Sequence, residues 1–361
     1  MFLSQQYSPI GVDVQHTSLK CAQFARENGR WRIHRLASAM SAPEWLEPSH
    51  VHYLASALAA HIRANAFRRT SLVISLPAPH VELLPLTVPA SAANEAAAVR
   101  ADAAAHLNCP EDEVQADFVP LGGSNSPTAT RRDVLAVAAK KTTLVTLLEA
   151  LRKRRLKVLA VDAAPTALRR LTMLLNAESI SDALAIVDVR LSQSVAIILD
   201  RGALVCCRRF NLGGEAFLTA LRTALEITDE EAAEILYGNT KWYLGAPADD
   251  PSHADDETRS LRNILRPTMQ QFAAELQRLL RYFTAQMKGK PVTRILLVGS
   301  AARQSFLRDE ITETTRVATS TLEELLQAEH VCATRAVSEE NESFSSFGLA
   351  MGLALRSQRR V

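Results

Sequence analysis

The chain has 361 residues, of which 47% are hydrophobic and 22% charged, and a formal net charge of +2. Such a length outgrows one ordinary core and suits two or three globular domains, while the near-neutral balance excludes a dedicated nucleic-acid binder, which presents a strongly basic face. The five cysteines, in no zinc-like spacing, exclude a disulfide framework and a zinc site, and there is no run of about 18 apolar residues to form a transmembrane helix.

Met1–Ser8 lacks the charged-then-apolar order of a secretory signal. Ile10–Val14 reads as an apolar strand carrying Asp13 between two valines, and Gln15, His16 and Thr17 form a polar turn. Leu19–Ala25 resumes as a strand, Asn28-Gly29 is a turn signal, and Trp31–Leu36 is a third strand. Val51–Phe67 has the spacing of an amphipathic helix, and Ser71–Leu76 is a strand stopped by Pro77 and Pro79. Glu82–Val88 is a strand, and alanine-rich Asn94–Leu107 a helix closed by Cys109-Pro110. Val114–Leu121 is extended, Gly122–Thr130 a loop, Val134–Ala139 a strand, Thr142–Arg154 a helix and Val158–Val161 a strand. The stretch Leu84–Leu156 thus has the β-α-β-β-α order of a small inserted subdomain, and its basic run Arg152–Arg155 reads as a solvated face.

The opening pattern then returns. Ala185–Val189 is a strand with Asp188 between two valines, Arg190–Gln193 a polar turn, Ser194–Leu199 a strand, Arg201-Gly202 a turn, and Ala203–Phe210 a third strand. Two three-stranded units alike in order, turn position and aspartate predict a fold built from two related halves. Further on, Gly213-Gly214 opens a helix over Glu215–Leu225, and Thr228 with Glu231 forms a capping-box signature for the next helix, ending near Gly238. Asp249–Asp256 is an acidic loop, Leu261–Met287 a long helix, Arg294–Val298 a buried strand, Arg303–Glu313 a helix, and Phe344–Leu355 a terminal helix with small residues Gly348 and Gly352. Arg356–Val361 is a short basic tail. Cys21, Cys206 and Cys207 lie within apolar strands as small hydrophobes, which suits a reducing cytoplasm.

A strand-end aspartate beside a polar turn can hold Mg²⁺ while turn amides and hydroxyls face phosphate. Asp13 with Thr17, Ser18 and Lys20 fits that role, and Asp188 with Ser192, Gln193 and Ser194 would face it from the other half. The alternative is that each aspartate simply caps its turn. Gly299-Ser300-Ala301, between a strand and a helix, suits close approach of a flat ligand, and Gly213-Gly214 is a weak anion site. His16 reads more simply as a turn histidine than as a base. No HExxH, GxSxG or GxxxxGK[ST] pattern is present.

The order of motifs resembles the actin-like superfamily in its PilM and FtsA branch. IGVDVQHTSLK and ALAIVDVRLSQSVAIIL resemble its two phosphate segments, NLGGEAFLTAL with ITDEEAAEILYGN its Gly-Gly helix and the helix after it, and RILLVGSAARQSFLRDEI its adenosine segment. FGLAMGLALR is similar to the ending of that branch, and the stretch from NEAAAVRADAAAHLNCPEDEVQADFVPLG to DVLAVAAKKTTLVTLLEALRKRRLKVLAVDAAPTAL to the inserted subdomain 1C of the PilM family. The resemblance implies an α/β protein with a duplicated actin-like (RNase H-like) fold and an inserted 1C-type α+β subdomain. Its divisions fall at 1–83 with 157–178 for the first half, 84–156 for the insert and 179–361 for the second half.

It also implies ATP and Mg²⁺ in the cleft between the halves. The residues concerned are Asp13, Gln15, His16, Thr17, Ser18, Lys20, Asp188, Arg190, Ser192, Gln193, Gly213, Gly214, Glu215, Glu234, Gly299, Ser300 and Ala301, with Asp13 and Asp188 at the metal. The implied role is a type IV pilus assembly or competence adaptor, cytoplasmic and held at the inner membrane by a partner. That partner is the N-terminal peptide of a PilN-like membrane protein, gripped between subdomains 1A and 1C near Leu76–Val88 and helix Asn94–Leu107. Nucleic acid and direct membrane insertion are not expected, and a homo-oligomer is left open. Four departures weaken the nucleotide site: Gln15 and Arg190 replace turn glycines, Ser300 replaces a glycine, and Tyr237 stands where a nucleotide-facing lysine is common. Arg190 could instead bring positive charge to a phosphate. An active ATPase or small-molecule kinase is the enzyme alternative. An FtsA-like division tether is another, disfavoured because no amphipathic helix follows a linker after Leu355.

Overall fold

The computed structural model describes residues 6–68, 70–78, 80–90, 92–122, 130–175, 182–238, 256–286, 291–329, 331 and 343–356. The acidic loop expected at 249–256 lies, apart from its last residue, outside these, as do most of the 122–130 loop and the tail beyond Arg356.

The chain opens with β1 (Gln6–Tyr7), β2 (Ile10–Val14), β3 (Ser18–Glu27) and β4 (Arg30–Met40), followed by α1 (Val51–Ala64) and β5 (Ser71–Ser75). β4 pairs with β3 along its whole length, so β1 and β2 share the other edge of β3, like one strand interrupted at Ser8-Pro9. β2 pairs in parallel with β5, and β5 in parallel with β9 (Lys157–Val161), which gives the order β4-β3-β2-β5-β9. Between β5 and β9 run β6 (Glu82–Pro89), α2 (Ala92–Leu107), β7 (Val114–Pro120), β8 (Arg131–Lys140) and α3 (Lys141–Lys153). Here β6, β8 and β7 form a separate antiparallel sheet, covered by α2 through Val99, Ala103 and Ala104. β6 and β7 are its edges, and Pro85 and Pro89 in β6 suit an edge strand because proline has no N–H for a ladder. α3 follows β8 directly, yet packs Leu147 and Leu151 into the core beneath α1.

After α4 (Ala164–Arg170) comes the second sheet: β10 (Ala183–Val189), β11 (Ser194–Asp200) and β12 (Ala203–Phe210). Helices α5 (Gly214–Leu225), α6 (Asp229–Ala233) and α7 (Asp256–Gln286) follow, then β13 (Val292–Val298), α8 (Ser305–Thr315), β14 (Ala318–Thr321), α9 (Leu322–Ala328) and α10 (Gly348–Ala354). The order here is β12-β11-β10-β13-β14, with an antiparallel meander on one side and two parallel additions on the other. Strand for strand this is the pattern of the first sheet, with β10 in the place of β2. The duplication expected from two aspartate-bearing hairpins is therefore present in the topology. The Thr228–Glu231 capping box forms, and a second at Thr321–Glu324 starts α9. α7 begins five residues before the expected Leu261 and carries Pro267 inside it. The terminal helix is shorter than expected, because Phe344–Phe347 is a 3₁₀ turn that leads into α10.

α10 is buried throughout and wedged between the halves. A Cβ on Gly11 of β2 would lie 1.9 Å from the Ala350 carbonyl oxygen, and one on Gly352 would lie 2.1 Å from that of Ala167, so bare backbone is what lets helix, strand and α4 close together. A single apolar cluster runs from Ala22 and Phe24 on β3 through Leu349, Leu353 and Ala354 of α10 to Ile186, Val195 and Ile197 of the second sheet. The halves therefore share one core.

Candidate nucleotide cleft and peptide groove

β2 and β10 end at the same level on opposite sides of the cleft, and each delivers its aspartate there. Asp13 and Asp188 are both buried. Burying two carboxylates side by side is costly unless a cation answers them. The cation is Arg190, from the turn after β10. Its Nε donates to Asp188 Oδ2 at 2.7 Å and its Nη2 to Asp13 Oδ1 at 3.0 Å, and its side chain is 16% exposed. Ser75 Oγ donates to Asp13 Oδ1 at 3.1 Å, and Gln15 Nε2 to Asp13 Oδ2 at 2.7 Å. Burial alone would push the Arg190 pKa down, but Asp13 and Asp188 reverse this and hold it above its ordinary value. Burial, opposed by Arg190 and reinforced by Asp13, pushes Asp188 above the ordinary aspartate range.

The neighbouring phosphate-type features are also satisfied from within. Gly214 N–H donates to the Arg190 carbonyl at 2.8 Å and Glu215 N–H to that of Leu191 at 2.7 Å, so two leading amides of α5 are bound by the turn that carries Arg190. A Cβ on Gly213 would lie 2.3 Å from the Arg190 carbonyl oxygen, and one on Gly214 would lie 2.2 Å from the Tyr237 hydroxyl, so turn, helix and tyrosine leave no space over the glycine pair. Gly299 has φ +97°, and a Cβ there would meet Val189 O at 2.4 Å and Asp188 Oδ1 at 2.7 Å. Its N–H donates to Ser345 O at 2.7 Å. Gln15, His16 and Thr17 face Arg190, Ser192 and Gln193 across a cavity of about 80 Å³. Ser18 donates to Gln15 Oε1, and Lys20 is buried with its Nζ 5.0 Å from the centre of the Phe347 ring.

The remaining expected residues stand apart. Glu215 ion-pairs with Arg222 at the surface, Glu234 is exposed at the start of a π-helical turn over Glu234–Gly238, and Ser300 and Ala301 lie in a 3₁₀ turn with Ala301 in the core. Sequence reading missed Ser75, which gave no signal beyond ending a strand. Among the described residues no group of three His, Cys, Asp or Glu side chains is placed to hold a metal ion.

A second feature lies between the three-stranded sheet and the first half. Edge strand β7 contributes Asp117, Phe118 and Val119 to a groove of about 780 Å³, whose other wall includes Val161, Asp162, Met173 and Arg356. Asp162 Oδ2 accepts from Arg170 and Arg356, both at 2.6 Å, while its Oδ1 accepts from Thr166 and from Ala163 N–H. Burial alone would raise the Asp162 pKa, but the two arginines and these hydrogen bonds hold it below the ordinary aspartate value. Arg169 Nε donates to Gly202 O at 2.7 Å, so one end of the groove is closed by the second half. None of the groove's lining comes from Leu76–Val88 or α2, where the peptide contact was expected; Leu76, Pro77, Val81 and Leu83 line the small cleft cavity instead. The far wall of the groove begins at Val161-Asp162 before Pro165, a strand end leading into a helix start.

Among the solved structures that match nearly the whole chain, three illustrate the likeness. The PilM-PilN type IV pilus biogenesis complex aligns with a TM-score of 0.72 at 23% identity, over 97% of this chain and 98% of that one. Ethanolamine utilization protein EutJ from Carboxydothermus hydrogenoformans gives 0.55 at 11%, over 97% and 89%. MreB 5 of Spiroplasma citri bound to AMPPNP gives 0.53 at 10%, over 95% and 93%. At these identities the likeness is one of fold, and with the two matching sheets it makes the architecture the duplicated actin-like one. The family model described as type IV pilus assembly protein PilM matches residues 11–358, so the chain belongs to the PilM family.

Proposed function

We propose that this chain is an adaptor of a type IV pilus inner-membrane platform that docks the cytoplasmic N-terminal peptide of a PilN-like membrane protein. Family membership and the likeness to a PilM-PilN complex support the role. The observation that carries the binding mode is the groove of about 780 Å³ along edge strand β7. An edge strand offers backbone N–H and C=O groups to an extended peptide, and flanking pockets supply selectivity. Phe118, Val119 and half-exposed Met173 offer apolar contacts, and Arg169, Arg170 and Arg356 surround them with positive charge. Among the described residues no helix is long and apolar enough to cross a membrane. On this reading the partner supplies the attachment and places the adaptor at the cytoplasmic face.

We read nucleotide binding as weakened or lost. A divalent cation needs free carboxylate oxygens, and both oxygens of Asp13 and one of Asp188 are engaged. The cavity of about 80 Å³ is well below the roughly 300 Å³ or more of ordinary ligand pockets.

The test is titration of a labelled peptide from the partner's N-terminus by fluorescence anisotropy. Met173→Glu, which places a charge at an exposed groove position, is expected to weaken binding at least about tenfold, or about 1.4 kcal/mol. Wild-type protein that does not bind the peptide overturns the adaptor reading, and an unchanged affinity in Met173→Glu removes the groove from it.

A further inference from the structure

The cleft residues do not fit a metal and nucleotide as they stand, and the way in which they fail to fit is itself informative. A strand-end aspartate from each half converges on one point, the arrangement that suits a divalent cation. The point is taken by a guanidinium from the chain itself. Arg190 is bonded to its own half through Asp188 and to the opposite half through Asp13, with Nε and Nη2 serving the two carboxylates separately. Its backbone is held as firmly: the carbonyl of Arg190 accepts from Gly214 N–H and that of Leu191 from Glu215 N–H, so the turn is clamped to the start of α5. Gln15 and Ser75 complete the shell around Asp13. A side chain that merely filled space would need neither two carboxylates nor a guanidinium whose Nε and Nη2 each meet a separate one.

We propose that Arg190 is a tethered cation that takes the place of a divalent metal between Asp13 and Asp188 and holds the two halves in the closed arrangement without nucleotide. The inference deepens the reading of a weakened nucleotide cleft and rests on it. It is independent of the peptide groove, so failure of the peptide titration leaves it standing and its own failure leaves the adaptor role intact.

The experiment compares full-length wild type, Arg190→Ala, and the triple variant Asp13→Asn/Asp188→Asn/Arg190→Ala, each titrated with MnCl₂ and followed by calorimetry and thermal unfolding. Wild type is expected to bind no Mn²⁺ at the cleft and to show no thermal shift. Arg190→Ala is expected to lose stability, to bind one Mn²⁺ and to regain several degrees of melting temperature with it. The triple variant is expected to be more stable than the single one and to be blind to Mn²⁺. Should Arg190→Ala be insoluble, recovery of soluble protein by the two added substitutions or by Mn²⁺ carries the same meaning, because a packing defect would respond to neither. The proposal is overturned if wild type binds Mn²⁺ in a manner abolished by Asp13→Asn/Asp188→Asn. It is equally overturned if neither Mn²⁺ nor removal of the two carboxylates rescues Arg190→Ala.

Discussion

At the scale of single residues, two buried carboxylate networks serve different ends. The Asp13–Arg190–Asp188 network joins the halves, and truncating Arg190 leaves two buried acids without their cation. Loss of one partner from a buried ion pair costs about 3–5 kcal/mol. Chemical denaturation of Arg190→Ala is expected to show a loss of that size, whereas Arg190→Lys, which keeps the charge but not the two-way geometry, should recover only part of it. The Asp162 network joins α4 to the C-terminal Arg356. Since the folded pKa of Asp162 lies below that of the unfolded chain, its contribution is complete at neutral pH and is lost as pH falls through the folded value. Asp162→Asn should therefore be less stable than wild type at pH 7, and the gap should narrow as pH drops below the ordinary aspartate value of about 3.9. A pH series of urea midpoints checks this, and a gap that widened in acid would reverse the assignment.

At the scale of elements, strands and helices with strong apolar periodicity were legible, and short polar ones were not. β10 and β11 are dominated by valine, isoleucine, leucine and alanine, and β2 and the first eight residues of β3 are buried or nearly so, with Ile10, Val12, Leu19 and Phe24 among their apolar anchors. β14, Ala318–Thr321, has no large apolar residue and exists because β13 offers it a parallel edge. α4 and α9 are seven residues each, too short for a helical period to stand out, and are held by Pro165 at the start of one and the Thr321–Glu324 box at the start of the other. α10 reads as a run of small and apolar residues, but its central position follows from glycines on both partners. Gly11→Ala would press a methyl group to 1.9 Å from the Ala350 carbonyl, so insoluble protein or a loss beyond the about 1–3 kcal/mol of ordinary overpacking is expected. Gly29→Ala, at φ +79° with open space around it, should cost only about 1 kcal/mol. Thermal melts of the two variants separate steric crowding from backbone strain.

At the scale of the whole molecule, the two sheets are copies in topology but share one apolar core through α10 and α4. Hinge motion between them would have to open that core as well as the Arg190 bridge. The protein is therefore expected to behave as one body whether or not nucleotide is supplied. Millimolar ATP with Mg²⁺ should leave the melting temperature unchanged, since a ligand at about 100 times its dissociation constant would add about 2.7 kcal/mol. The affinity for the partner peptide should be the same with and without it. A clear upward thermal shift, or peptide binding that required ATP, would restore the nucleotide to the mechanism.

What the sequence by itself determined was the repetition: two hairpins, each bending at a Val-Asp-Val, dictated by apolar alternation and turn chemistry that act within a few residues. With the resemblance to the PilM branch, it also showed that Gln15 and Arg190 stand where that branch usually has turn glycines. Which way Arg190 points was decided only by the tertiary structure. The guanidinium reaches either solvent phosphate or buried carboxylates, and the choice depends on how closely a residue 177 positions away is brought to it. The same holds for the groove beside β7, whose walls come from β7, β9, α4 and the Leu355–Arg356 segment, because a surface assembled from distant segments leaves no periodic trace along any one of them.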